Sequence, residues 1–228
     1  MNYVQERFAS KNAVFLGESG SGKTEVSVNW ARALAKSGAA VTFIDMDQTK
    51  GLFRARDLAP KLTEAGVNLV DVFVFQDAPL APQGVSGALK DESSVCVFDV
   101  GGNAVGARMM GQFAEMLREQ DTRYFYIINP LRPFSGSIED IRESMEKIFA
   151  VGGVDQRLVS IISNPCMGTR TTTELILEKH EWLEDALDEL CLDISFMTVD
   201  ENVYEEVAGK VDCRVFPISV YVKALYER

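Results

Sequence analysis

Residues Gly17-Glu18-Ser19-Gly20-Ser21-Gly22-Lys23-Thr24 read G-x-x-x-x-G-K-T, and the fold is decided by what this octet can do. Its glycines let the backbone turn sharply enough for successive N–H groups to face inward around phosphate oxygens. A β-carbon at Gly17 or Gly22 would obstruct either the turn or the approach of the phosphate. Glu18, Ser19, Gly20 and Ser21 complete the cradle, Lys23 is placed to reach the β- and γ-phosphates, and Thr24 offers a hydroxyl to Mg²⁺. The helix that follows adds free N–H groups and the positive end of its dipole. The setting suits these mechanics. Ala13-Val14-Phe15-Leu16 reads as a buried strand, and 23–37 is a run of helix formers with Val26, Ala31, Leu34 and Ala35 for a buried face and Gly38 as a stop.

Working outward, short apolar runs recur between helical stretches. Strands are expected at Val41–Ile44, Val67–Phe75, Val95–Phe98, Tyr124–Ile128, Leu158–Ile162, Ile194–Val199 and Val215–Ile218. Helices are expected near 107–119, 137–150, 171–190 and 201–208, two of them opened by capping-box spacing, Ser137 with Asp140 and Thr171 with Glu174. This alternation predicts an α/β fold: a mostly parallel central sheet of about seven to eight strands, with helices on both faces, formed by the whole of 1–228 as one nucleotide-binding domain. In such sheets ligands bind beyond the carboxyl ends of the strands.

Composition narrows the function classes. The 228 residues carry 34 Asp and Glu against 23 Lys and Arg, a formal net charge of −11, which argues against a broad nucleic-acid surface. Cys96, Cys166, Cys191 and Cys213 are widely spaced with no C-x-x-C pair, the pattern of reduced thiols in a cytoplasmic protein. The first eleven residues have no apolar core of a signal peptide, and no run approaches membrane-spanning length. His180, the single histidine, lies among charged neighbours and is expected to be solvated.

Carboxylates complete a hydrolytic site. Asp99 ends a four-residue apolar strand and opens Asp99-Val100-Gly101-Gly102, a D-x-x-G in which Asp99 would hold a Mg²⁺ water and Gly102 would place an N–H near the γ-phosphate. Asp45-Met46-Asp47 closes the second strand. One of its carboxylates is suited to organising the metal's water shell and the other to orienting the attacking water. The implied cofactors are a nucleoside triphosphate and Mg²⁺.

The succession G-x-x-x-x-G-K-T, four apolar residues with D-x-D, and four apolar residues with D-x-x-G resembles the MinD/ParA branch of P-loop ATPases. The resemblance implies that Asp47 serves the hydrolytic water with Asp45 as its partner, that Asp99 serves Mg²⁺, and that Lys23 is catalytic. It also implies that Asn164-Pro165, after the sixth strand, contacts the adenine base. No N-K-x-D guanine signature follows that strand, which favours ATP. It further implies a protein partner, a metalloenzyme or an assembly scaffold among the possibilities, and a nucleotide-dependent homodimer. The chain departs from that branch at Glu18, where the branch carries a lysine that reaches across the dimer. Arg54 or Arg56, after the second strand, is the candidate for the missing cation, while Arg132, in the loop after the fifth strand, is read as part of a structural loop or as a contact to nucleotide or partner. Two other readings share the same loop: a small-molecule kinase or ATP-dependent ligase, and a nucleotide-binding protein that does not hydrolyse.

Overall fold

The computed structural model describes residues 8–47, 55–71, 84–102, 104–168 and 171–221, without the side chains of Arg56 and Asp71. Eight strands form one sheet: β1 (Asn12–Leu16), β2 (Val41–Met46), β3 (Val67–Asp71), β4 (Val95–Val100), β5 (Thr122–Ile128), β6 (Val159–Ser163), β7 (Ile194–Asp200) and β8 (Val215–Ile218). Their order is β3-β2-β4-β1-β5-β6-β7-β8, and each neighbouring pair is parallel. The α/β sheet read from the sequence is therefore present and parallel throughout. The helices are α1 (Lys23–Lys36), α2 (Ala59–Glu64), α3 (Val85–Lys90), α4 (Ala104–Gly111), α5 (Ala114–Arg118), α6 (Ile138–Gly152), α7 (Thr173–Asp188) and α8 (Tyr204–Val207).

Strand alternation divides the apolar residues between two cores. From β1, Val14 and Leu16 enter one core with Met110 of α4, Met145 and Phe149 of α6 and Leu183 of α7. Ala13 and Phe15 enter the other, with Val26 and Trp30 of α1 and Leu62 of α2. In the second core Phe15 stacks on Phe125 at 5.0 Å between ring centroids and Trp30 stacks on Phe196 at 5.8 Å. These rings clamp α1 to the sheet, and with it the lysine at its first turn. Burying each such aromatic is worth about 1.5–3 kcal/mol.

Local differences from the sequence reading have local causes. The stretch 107–119 is two helices, because α4 stops at Gly111 and the chain turns Phe113 into the core, where it is buried. Short helices α2 and α3 occupy segments in which no helix was expected. The sixth strand begins at Val159, and Leu158 ends an exposed 3₁₀ turn. Ser137 caps α6 as expected, accepting from Asp140 N at 3.1 Å. The cap of α7 is Thr172, not Thr171: Thr172 Oγ1 accepts from Leu175 N at 3.3 Å. Thr171 closes the preceding turn instead, accepting from Met167 N at 2.7 Å. His180 is buried rather than solvated, because position 180 falls on the inward stripe of α7 with Ile176, Leu183 and Leu187. The expected strand residues 72–75 and Arg54 lie outside the described residues, as does the side chain of Arg56.

Candidate nucleotide site

The loop 17–24 leaves β1, which lies between β4 and β5 where the strand order reverses, so the loops after all three strands converge on it. Gly17 and Gly22 have φ of 142° and 94°, in the region that favours glycine. A β-carbon at Gly22 would also lie 2.1 Å from Asn164 Nδ2. Asn164, buried at the end of β6, donates to Ser21 O at 2.7 Å and accepts from Thr198 Oγ1 at 2.8 Å. Its amide therefore staples the loop to β7 and does not line the cavity beside it. Pro165, its companion in the expected base contact, does line that cavity. The Ser21 hydroxyl is buried and has no hydrogen-bond partner among the described residues.

Lys23 is only 6% exposed, and its Nζ donates to Glu18 O at 2.8 Å across the loop. Burial pulls its pKa below the usual lysine range, while Asp99, Asp47 and Glu18 oppose that pull. Thr24 Oγ1 donates to Asp99 Oδ2 at 2.7 Å. The other oxygen of that carboxylate, Oδ1, is buried without a hydrogen-bond partner among the described residues. Burial first, then the Asp45 carboxylate, pushes Asp99 up to about 7. Asp45 and Asp99 are register partners on β2 and β4, and both are fully buried. A hydroxyl and a spare carboxylate oxygen side by side are a donor set that fits Mg²⁺, which takes few protein ligands and completes its shell with water and phosphate.

Asp45 Oδ1 accepts from Asp47 N at 3.0 Å, fixing the turn after β2. Asp47 is half-buried, and a β-carbon at Gly101 would lie 3.2 Å from its Oδ1. At Gly102 a β-carbon would lie 2.6 Å from Lys23 Nζ and 2.7 Å from Ser19 N. The Asp99–Gly102 turn is thus pressed onto the phosphate loop with no space for a side chain. The structure therefore brings Lys23, Thr24, Asp45, Asp47, Asp99 and Gly102 together, as their positions at strand ends imply.

The Glu18 carboxylate bridges the loop and α6, and its Oε2 accepts from Ser19 N at 3.3 Å. Its Oε1 accepts from Ser144 Oγ of α6 at 2.6 Å, and that hydroxyl pairs with Tyr126 Oη at 2.7 Å. Arg132, from the loop after β5, lies along the outside of the octet: a β-carbon at Gly20 would meet its Nε at 3.6 Å and its Cδ at 3.7 Å. Beyond Asn164 a cavity of about 130 Å³ opens between the β6 and β7 loops, lined by Pro165, Cys166, Val199, Asp200, Asn202 and Val203 among others. Ser144, Tyr126 and Asp200 went unnoticed in the sequence. Asp200 alone carried a signal there, as a carboxylate at a strand end.

A family model described as the CobQ/CobB/MinD/ParA nucleotide binding domain matches residues 13–165. No curated protein matches the chain. Among solved structures it is similar to the signal recognition particle 54 kDa protein of Aeropyrum pernix K1 in complex with GDP, at 18% identity and a TM-score of 0.54, over 82% of this chain and 40% of that one. It is similar to chloroplast FtsY of Physcomitrella patens at 17% identity and a TM-score of 0.57, over 85% of this chain and 59% of that one. A third is FlhF complexed with GTP/Mg²⁺, at 18% identity and a TM-score of 0.53, over 85% and 67%. Likeness at this identity shows the fold. The chain spans less than two thirds of the first two. The family match covers more than half of the chain and includes every motif of the site, so the chain belongs to the CobQ/CobB/MinD/ParA nucleotide-binding family.

Proposed function

We propose that the chain binds Mg·ATP and hydrolyses it slowly, using the presence of the γ-phosphate to set its surface for a protein partner. The observation that carries this reading is the contact of Gly102 with Ser19 and Lys23. A γ-phosphate entering beside Lys23 has to meet the Asp99–Gly102 turn. That turn is continuous with α4, and a β-carbon at Gly106 of α4 would lie 2.4 Å from Gly101 O. Occupancy at the loop is thereby passed to a helix that packs against α6.

In this reading Lys23 and the loop N–H groups hold the phosphates, and Ser21 offers its buried hydroxyl to them. Thr24 and Asp99 would hold Mg²⁺, which when bound supplies positive charge to the β- and γ-phosphate oxygens. Asp47 accepts a hydrogen bond from the attacking water and turns it toward phosphorus. Asp45 keeps Asp47 in place through its backbone N–H. The base occupies the cavity between the β6 and β7 loops, where Asp200 is an acceptor suited to the exocyclic amine of adenine. Phe134 and Met167, 55% and 41% exposed, stand on the loops after β5 and β6, and Val105, 57% exposed, stands in the first turn of α4. They give a partner an apolar rim around the nucleotide. A metalloenzyme, an assembly scaffold and a second copy of this chain are the partner classes in keeping with the family.

Two measurements test the proposal. Mg²⁺-dependent release of phosphate from ATP should be detectable and absent in Asp47→Ala. Amide exchange over 104–111 should be slower with a non-hydrolysable triphosphate than with ADP. Tight ATP binding with no turnover would remove the hydrolytic part, and identical exchange in the two states would remove the switch.

A further inference from the structure

We propose that Arg132 binds the terminal phosphates of the nucleotide in cis, a role that rests on the nucleotide-binding reading above. A nucleoside triphosphate brings about four negative charges to the loop. Besides the Mg²⁺ that Thr24 and Asp99 would hold, it meets one buried cation among the described residues there, Lys23, beside the carboxylates of Asp45, Asp47 and Asp99. Such a site needs further positive charge on its open side. Position 18 supplies none. Its carboxylate accepts from Ser144 Oγ, which Tyr126 holds from behind, and from the loop's own Ser19 N at 3.3 Å.

The open side of the loop is at Ser19 and Gly20, both exposed. The Arg132 side chain lies there, with Nε and Cδ at 3.6 Å and 3.7 Å from where a β-carbon at Gly20 would stand. Its charged carbon is one bond beyond Nε. The stem packs alongside Gly20 at distances of ordinary van der Waals contact. The backbone beneath the arginine is a fixed mount. Arg132 N donates to Asn129 O and Arg132 O accepts from Ser135 N, both at 3.0 Å. Asn129 in turn donates to Cys166 O at 2.7 Å and accepts from Leu131 N at 3.0 Å. Pro130 and Pro133 flank the segment and restrict its backbone further. A guanidinium on such a mount can offer a planar fork of donors to phosphate oxygens at small entropic cost. Because the stem rests on its own chain's Gly20, the arginine serves the nucleotide of its own loop and not that of a second copy.

The test is calorimetric titration of wild type, Arg132→Ala, Arg132→Lys and Lys23→Ala with ATP, ADP and AMP in the presence of Mg²⁺, at low and high protein concentration. Arg132→Ala should weaken ATP about tenfold to a hundredfold, ADP less, and AMP hardly at all. Arg132→Lys should recover part of the loss, the ratios should not depend on protein concentration, and the thermal melt should match wild type because the side chain is exposed. An ATP affinity unchanged by Arg132→Ala, in a protein whose wild type binds ATP and whose Lys23→Ala does not, would overturn the assignment alone. A loss equal for ATP and AMP would overturn it too, as would one that appears only where the protein self-associates. A wild type that binds no nucleoside triphosphate would overturn the nucleotide-binding reading, and this assignment with it.

Discussion

The phosphate end and the base end of the site are built on opposite plans. At the phosphate end buried charges are braced against one another, and at Gly22 and Gly102 no space remains for a methyl group. At the end proposed for the base a cavity of about 130 Å³ is lined by residues of two loops, β7 and α7, with Asp200 and Asn202 among its polar groups. A crowded, charged end responds to small changes with large losses, because each group there has been desolvated for one ligand chemistry. A cavity tolerates change and spends it on selectivity.

The largest expected effect is that of Lys23→Ala, which leaves three carboxylates around the loop without their buried cation. Triphosphate affinity should fall by a hundredfold or more, as read by calorimetry. A fall of less than tenfold would mean that the phosphate end is not where affinity resides. Next comes Gly102→Ala, whose β-carbon would be driven into Lys23 and Ser19. Overpacking of this kind costs about 1–3 kcal/mol. Turnover should be abolished while ADP still binds, because only the γ-phosphate needs the turn displaced. A variant that hydrolyses at the wild-type rate would break the link between crowding and function.

The base end should behave differently. Asp200→Asn should alter the ratio of ATP to GTP affinity about tenfold while leaving the affinity for inorganic triphosphate as it was. An equal loss for all three ligands would erase the distinction between the two ends. The smallest effect concerns acid. His180 is buried on α7, its Nδ1 3.1 Å from Ser163 Oγ and its Nε2 3.3 Å from Cys213 Sγ. Burial pulls its pKa down from 6.5 to about 4. The unfolded chain takes up this proton near 6.5, so the stability tied to a neutral His180 is present above that pH. It is lost as the pH falls from 6.5 through 4. Glu184, half-exposed and 3.4 Å from Nε2, offsets part of the cost of charging the ring. The loss should therefore be on the order of 1–2 kcal/mol. Denaturant titrations of wild type and His180→Gln between pH 4 and 7 would show it as a slope that the variant lacks.

The two ends also differ in how plainly the sequence declares them. The phosphate end is legible because its chemistry demands particular residues at fixed spacing: glycines where φ turns positive, and carboxylates that end apolar runs such as Val95–Phe98. The sheet is legible for a related reason, since strands buried on both faces read as unbroken apolar runs. What Glu18 does is not legible, because its partner Ser144 lies 126 residues away on a helix. The α7 cap slipped by one residue because three threonines stand in a row and only geometry chooses among them. His180 was misjudged from its charged neighbours, although its four-three-four spacing from Ile176 through Leu183 to Leu187 marks the buried stripe. The cavity is hardest to foresee, since ordinary residues of two loops, β7 and α7 form it only once folded.

Asn164 joins the two ends. One amide holds both the carbonyl of Ser21 and the hydroxyl of Thr198, so the span between phosphate cradle and base cavity is set before any ligand arrives. A nucleotide that docks by either moiety finds its second seat at a fixed reach, and the second contact becomes an intramolecular event with a high effective concentration. Two modest attachments then act as one tight one. Nucleoside and inorganic triphosphate offered as separate molecules gain nothing from that span. Removing the Asn164 amide should bring the intact nucleotide nearer to the behaviour of its severed parts, with every phosphate contact and every cavity residue still in place.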